Sequence, residues 1–354
     1  MSKCIKCGCE LIFDGINKNT SIEHIIPNAI GGKLKSSKLL CKKCNSDYGR
    51  ECDYELCKQL MFFTVMLNPN RDRKSSLILK TDKEEEYDIS LSGKPILKAP
   101  KIIKEQNEKY IKYKITSRNI QETTKILKNL KKKYPQLDID SIKNNLQKSI
   151  KFINKPLKVS TRVNNTLIFQ AIYKIALEYY IENGGQISST TLFNEKVCYS
   201  YELDFIFDKY IKNTIYHGIF IKGDPKEKYL IGYVELYSTY SFLILLDDNY
   251  NGDKIQYYYC FDLFNNNKLD NLSINYEINL KKIYDYNKKN LVPQNITYKI
   301  NKAIKLISNY QFKNIIYKIF DECYPDIDAF LLRIRPYILN IMKEFLSFYE
   351  VHTS

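Results

Sequence analysis

Cys4-Ile5-Lys6-Cys7, then Ile22-Glu23-His24-Ile25-Ile26-Pro27-Asn28-Ala29-Ile30-Gly31-Gly32, then Cys41-Lys42-Lys43-Cys44-Asn45 are the three runs on which the reading of this chain turns. The outer two are Cys-x-x-Cys pairs. Each can supply two thiolates from one tight turn, and two such turns complete a tetrahedral sulfur site of the kind that holds structural zinc. Four unrelated thiols are the alternative. Cys4, Cys7, Cys9, Cys41 and Cys44 crowd the start of the chain, whereas Cys52, Cys57, Cys198, Cys260 and Cys323 show no such pairing. In a reducing compartment that pattern favours metal over disulfides. Cys9 is either a spare thiol or a replacement for Cys7 as ligand. A short zone with a modest core needs such a staple, and zinc binding on the order of 10 kcal/mol can provide it.

The formal charge of +15 over 354 residues calls for an acidic partner, and nucleic acid is the commonest. A membrane surface is the rival. No polybasic run sits beside a hydrophobic anchor, and the longest apolar stretch, 242–246, falls far short of the roughly 20 residues that span a bilayer. Met1-Ser2-Lys3-Cys4 lacks the apolar segment of a secretion signal. The expectation is a cytoplasmic protein with no membrane association. A hydrophobic content of 44% excludes a disordered chain.

Three zones follow. Residues 1–66 hold the paired cysteines and end in a helix expected from Asn45 through the apolar run 61–66. Residues 67–156 open with short strands at 76–79, 87–91 and 110–115. A helix then runs from Asn119 to Lys133, with Ile120, Leu127 and Leu130 on one side, and stops before Pro135. Lys125, Lys128 and Lys132 recur along that helix at helical spacing. They form either a solvated face or a phosphate-contacting surface that adds affinity without sequence information. Residues 157–354 read as an α+β region whose role is recognition, dimerisation or sensing. An amphipathic helix carries Ile168, Ile172, Ile175, Ala176 and Tyr179 and closes at Gly184-Gly185. Segments 229–246 and 254–264 read as strands around an Asn251-Gly252 turn, and helical pattern returns over 301–349. Tyr257-Tyr258-Tyr259 either alternates along a half-buried strand or stacks on bases.

Between the knuckles, Glu23-His24-Ile25-Ile26-Pro27, Gly31-Gly32, Leu40-Cys41, Cys44-Asn45, Gly49 and Asp53 together resemble the HNH endonucleases of the ββα-metal class, in the branch clasped by two Cys-x-x-Cys knuckles. The resemblance covers residues 4–57 only. It implies an α+β chain: an N-terminal zinc-stapled ββα-metal nuclease domain, followed by a larger mixed region with an antiparallel sheet and flanking helices. It implies that His24 is the general base that activates water, while Glu23 and Asn45 hold one divalent ion. Imidazole suits a base at neutral pH, and oxygen donors such as these suit Mg²⁺ or Mn²⁺. A buried, hydrogen-bonded structural histidine is the alternative for His24. His217 and His352 lack such company and read as structural or exposed.

The sequence departs from the family name twice. The final histidine of the motif is Asn45, its amide oxygen serving as ligand. The middle asparagine, which braces the loop, falls at Ser36 or Ser37. Asp53 reads as a further metal-binding or bracing group, or as an ordinary surface acid. The expected function is hydrolysis of phosphodiester bonds in nucleic acid, with double-stranded DNA as the expected partner and restriction or anti-phage defence as the role that analogy suggests. One active site cuts one strand, so a double-strand break needs a homodimer or two successive events. The alternative is a non-catalytic zinc-dependent nucleic-acid-binding protein.

Overall fold

In the computed structural model the first zone, with its cysteine turns and Gly-Gly punctuation, is built of short elements. It describes residues 3–69, 77–81, 85–89, 95–108, 110–146, 157–159, 161, 165–186, 207, 211–272 and 296–350. Cys198, His352 and Leu91 lie outside the described residues.

Strand β1 (Glu23–His24) pairs antiparallel with β2 (Lys35–Ser36), with Glu23 opposite Ser36 and His24 opposite Lys35. Where one helix from Asn45 to residue 66 is expected, three follow in series: α1 (Lys42–Arg50), α2 (Cys52–Gln59) and α3 (Met61–Leu67). The chain breaks at Glu51 (φ −105°, ψ −93°) and at Leu60 (φ −91°, ψ 3°), neither of which is helical.

Next come β3 (Leu77–Thr81), β4 (Glu86–Ile89), β5 (Pro95–Leu97), β6 (Lys101–Gln106) and β7 (Ile111–Thr116), then α4 (Ile120–Lys133), α5 (Ile139–Asn144) and β8 (Leu157–Lys158). The expected strands and helix are all here, with β5 and β6 in addition. Asn119 caps α4 by accepting the Glu122 amide, the signal that placed its start correctly. These strands make a sheet of order β5-β4-β3-β8 and a separate β6-β7 ribbon.

The remainder holds α6 (Thr166–Glu182), then β9 (Tyr216–Asp224), β10 (Tyr229–Leu236), β11 (Tyr240–Asp247), β12 (Ile255–Asp262) and β13 (Asn267–Lys268), then α7 (Ile296–Cys323) and α8 (Ile327–Glu350). The sheet order is β11-β10-β9-β12-β13, antiparallel throughout. One expectation fails here. Segment 229–246 is itself a hairpin, and Asn251-Gly252 merely leads into β12, which pairs with β9. The tight turn is made by Tyr237 and Ser238, both at positive φ (56° and 51°). Hairpin turns of this kind normally use Asn or Gly there, so the composition conceals it. The tyrosine run is strand: Tyr259 packs on Tyr179 of α6 and stacks with Phe261.

Chain packing divides into two units, Met1–Lys74 with Thr161–Lys313, and Ser75–Ser160 with Asn314–Ser354. The N-terminal segment therefore shares a unit with α6 and the five-stranded sheet, as do residues 67–74 of the zone read as 67–156. The rest of that zone shares the other unit with residues 314–354, part of the zone read as 157–354. Helix α6 touches α2 on one side and β9, β10 and β11 on the other. Sandwiched so, it is buried on every side from Ala171 to Tyr180, and its apolar residues join those of the first zone in one contiguous core. Among the described residues no helix is long and apolar enough to cross a membrane.

Candidate metal centre and active site

The two knuckles converge. The sulfurs of Cys4, Cys7, Cys41 and Cys44 all lie within 4.8 Å of one another, and Cys7 Sγ is 3.9 Å from Cys41 Sγ. Tetrahedral zinc with bonds near 2.3 Å requires sulfurs about 3.8 Å apart, so the donor set fits a closed zinc site. Backbone bonds from Gly8 N to Cys4 O and from Cys4 N to Cys9 O, both 2.8 Å, form the first turn, with Gly8 at φ 72°. Cys41 caps α1, its sulfur accepting the Cys44 amide at 3.5 Å. Burial opposes ionisation of Cys41, but hydrogen bonds from Cys44 and Cys4 outweigh it and hold its thiol below the ordinary range. Cys9 is exposed and outside the four-sulfur group.

The loop from β1 to β2 is pinned by Ile25, Ile26 and Ile30, all fully buried. A Cβ on Gly32 would sit 1.9 Å from the Ile26 carbonyl oxygen, so only glycine lets the two backbones approach. Gly31 ends the short turn Asn28–Ile30 at φ 96°. The Ile30 carbonyl is held at 2.9 Å by both His217 Nε2 and the Tyr237 hydroxyl, and Thr64 Oγ1 lies 2.7 Å from that hydroxyl.

His217 is fully buried, and its Nδ1 accepts the Tyr237 amide at 3.3 Å. Nε2 therefore carries the proton donated to Ile30. Burial pushes the imidazole down from 6.5 to about 4, with the Ile30 carbonyl partly opposing it. The folded form binds His217 neutral, so its contribution is fully present above 6.5 and is lost as pH falls towards 4. This window holds roughly 3 kcal/mol. Urea unfolding at pH 7 and pH 4.5 is expected to show a smaller pH difference for His217→Gln than for the parent; equal differences would refute the assignment.

Neighbouring residues on a strand point to opposite faces. Glu23 turns inward and is only 4% exposed, whereas His24 is half-buried. Glu23 Oε1 lies 2.6 Å from Nζ of Lys174 on α6, and that same ammonium is 2.6 Å from Asp53 Oδ2 on α2. Lys174 is fully buried. Burial alone would favour its neutral form, but Glu178, Asp53 and Glu23 outweigh this and keep it charged. Desolvation raises the Glu23 carboxyl, with Lys174 opposing the rise. Glu178 is also fully buried, its two oxygens have no hydrogen-bond partner among the described residues, and burial pushes it well above the carboxylate range.

Asn45, on the first turn of α1, donates Nδ2 to Ser21 Oγ at 2.8 Å and to the Ile22 carbonyl at 3.5 Å. It thus sits beside the start of β1, with the amide oxygen not used in these bonds. Ser36 is buried and donates to Glu182 Oε2 of α6 at 2.5 Å while accepting the Lys38 amide at 3.1 Å; Ser37 is exposed. Asp53, 8% exposed and ion-paired, is no ordinary surface acid. Lys125, Lys128 and Lys132 are exposed on α4, opposite its buried Thr123 and Leu127.

As an oxygen donor for a divalent ion, Asn45 fits. Glu23 has its Oε1 bonded to the Lys174 ammonium, which would compete with a divalent ion for that carboxylate. Sequence reading missed Lys174, Glu178 and Glu182. A signal was present: two ionisable residues four apart in a helix that is apolar nearly all round must be buried, and buried charges need partners.

The profile of the HNH endonuclease family matches residues 4–61, a segment of the chain that contains both knuckles and the Glu23-His24 strand. No curated protein and no solved structure matches the chain.

Proposed function

We propose, with the HNH endonuclease match over residues 4–61 as premise, that this chain is a metal-dependent endonuclease that hydrolyses phosphodiester bonds in nucleic acid, with duplex DNA as substrate. That match is the observation that carries the reading. The four-cysteine group supports it by supplying the staple that branch of the family needs. In this reading His24 is the general base. Its strand is fixed by buried isoleucines on one side of the loop and by β2 on the other, which holds the imidazole in place to draw a proton from the attacking water. Lys35, its exposed cross-strand partner, lies on the same face, where it can meet a phosphate.

General base catalysis contributes roughly 10²- to 10⁴-fold, so charge stabilisation must supply much of the rest. Mg²⁺ or Mn²⁺ held at the site would supply that by neutralising charge on the phosphate and the departing oxygen. Asn45 Oδ1 is the oxygen donor that we assign to it. The resemblance would also place Glu23 there, where Lys174 competes for the carboxylate. Each chain carries one such site, so a double-strand break requires a homodimer or successive nicks. A cytoplasmic role in restriction or anti-phage defence is the biological setting we favour.

Lys125, Lys128 and Lys132 are assigned to phosphate contacts. Replacing all three by glutamine should flatten the plot of log affinity against log salt by roughly 3, at about 0.9 per contact on duplex DNA. An unchanged slope would return them to a solvated helix face. The reading as a whole is tested by zinc analysis of the purified protein, with cleavage assays on duplex DNA, single-stranded DNA and RNA. About one zinc per chain is expected, with cutting that needs added Mg²⁺ or Mn²⁺. A zinc-loaded protein that binds DNA yet leaves all three substrates intact would overturn the nuclease reading.

A further inference from the structure

The β1–β2 hairpin has two faces with different neighbours. Glu23 and Ser36 are direct cross-strand partners and so share one face. Both are taken by α6: Glu23 by Lys174 at 2.6 Å and Ser36 by Glu182 at 2.5 Å. Residues 174, 178 and 182 are spaced four apart, so they lie along one side of that helix. Lys174 also reaches Asp53 at 2.6 Å, which ties α2 to the same point. His24 and Lys35 occupy the hairpin's other face. None of the α6 residues falls within the matched segment 4–61.

From this placement we propose that Lys174 is a positioning residue of the nuclease site. Its ammonium is the resident cation of Glu23 and Asp53, so Glu23 orients the His24 strand and stays outside the coordination sphere of the divalent ion. Three observations support it. Glu23 is desolvated and already charge-paired, so a divalent ion on the same carboxylate would face an ammonium beside it. Ser36, one of the two positions at which the resemblance puts the bracing residue, has its hydroxyl bonded to Glu182, so that bracing reaches it from α6. The hairpin also places Glu23 and His24 on opposite faces, so the contact that holds Glu23 is made on the face away from the imidazole. A base held in this way acts on its water from a fixed position, and misplacement by about 1 Å costs about 10²-fold.

The proposal rests on the nuclease reading, and Mn²⁺ binding separates the two. The full chain, Glu23→Gln, Asn45→Ala and Lys174→Met are compared for Mn²⁺ affinity, from the resonance of unbound Mn²⁺, and for kcat and KM on duplex DNA. Glu23→Gln keeps an oxygen for Lys174 and the same shape, so it is the variant expected to stay folded if Lys174→Met does not. Its expected behaviour is Mn²⁺ affinity within about fivefold of the parent and kcat lowered about 10- to 100-fold with KM unchanged, the range typical of groups that orient a site from behind. Asn45→Ala is expected to lose Mn²⁺ affinity. A folded Glu23→Gln that binds Mn²⁺ more than about fivefold weaker shows that the Glu23 carboxylate is needed to hold the ion, and the proposal falls while the nuclease reading stands. Unchanged Mn²⁺ affinity with unchanged kcat also overturns it, since Glu23 would then orient nothing. A parent that neither binds Mn²⁺ nor cuts overturns the nuclease reading, and the positioning role with it.

Discussion

Replacing His24 by alanine is expected to slow nicking of supercoiled plasmid by at least about 10²-fold while zinc content and thermal midpoint stay close to the parent's. The size follows from the role: a positioned base is worth roughly 10²- to 10⁴-fold, and its loss leaves the electrostatic contributions intact. Stability should be spared because His24 is half-buried and the loop is pinned by other groups. Ile25, Ile26 and Ile30 anchor it in the core, and His217 and Tyr237 hold the Ile30 carbonyl. The outcome that would discard the assignment is equal nicking by parent and variant at matched protein concentration with Mg²⁺ or Mn²⁺ present. In that case a zinc-dependent nucleic-acid-binding protein without catalysis becomes the better reading, and the pairing of Glu23 with Lys174 would be a reason for it.

Local chemistry was legible in the sequence and distant pairing was not. Two Cys-x-x-Cys turns declare their geometry within four residues each, and the four sulfurs do meet. The Gly31-Gly32 punctuation marks a real close approach, at Ile26, and Asn119 marked a real helix start. Lys174 finds Glu23 across 151 residues and Asp53 across 121, and nothing at Glu23 announces such a partner. Its charge and its place before His24 suit a metal ligand and an ion-paired brace equally well. The sheet shows the same limit. Asn251-Gly252 carries the stronger turn signal, yet β12 leaves β11 to pair with β9. Helix α6 was recognised as amphipathic, but only its packing between α2 and the sheet makes its charged residues part of the site.

Removing zinc is expected to have the largest structural effect. A structural zinc is worth about 10 kcal/mol or more of folding free energy in small domains, against total stabilities of about 5–15 kcal/mol. Zinc held by the four thiolates would clasp the first turn, at Cys4 and Cys7, to the start of α1, at Cys41 and Cys44, and α1 carries Asn45. Without it the two ends of the segment that holds β1 are joined by backbone bonds such as Ile5 N to Leu39 O and Lys42 N to Asn19 O and by the core shared with α6. Cys41→Ser isolates the effect. Serine is also a good helix cap, so the capping role of Cys41 is largely kept and the loss reports the missing thiolate. The variant should purify with little zinc, melt well below the parent, and fail to cut at any Mg²⁺ concentration. Cys9→Ser, outside the four-sulfur group, should keep both zinc and activity. A zinc-selective chelator should abolish cleavage by the parent, with activity returning on addition of Zn²⁺ and Mg²⁺ together but not Mg²⁺ alone. If Cys41→Ser melted with the parent, or if Mg²⁺ alone restored the chelated enzyme, the four thiols would be unrelated and the staple would have to be abandoned.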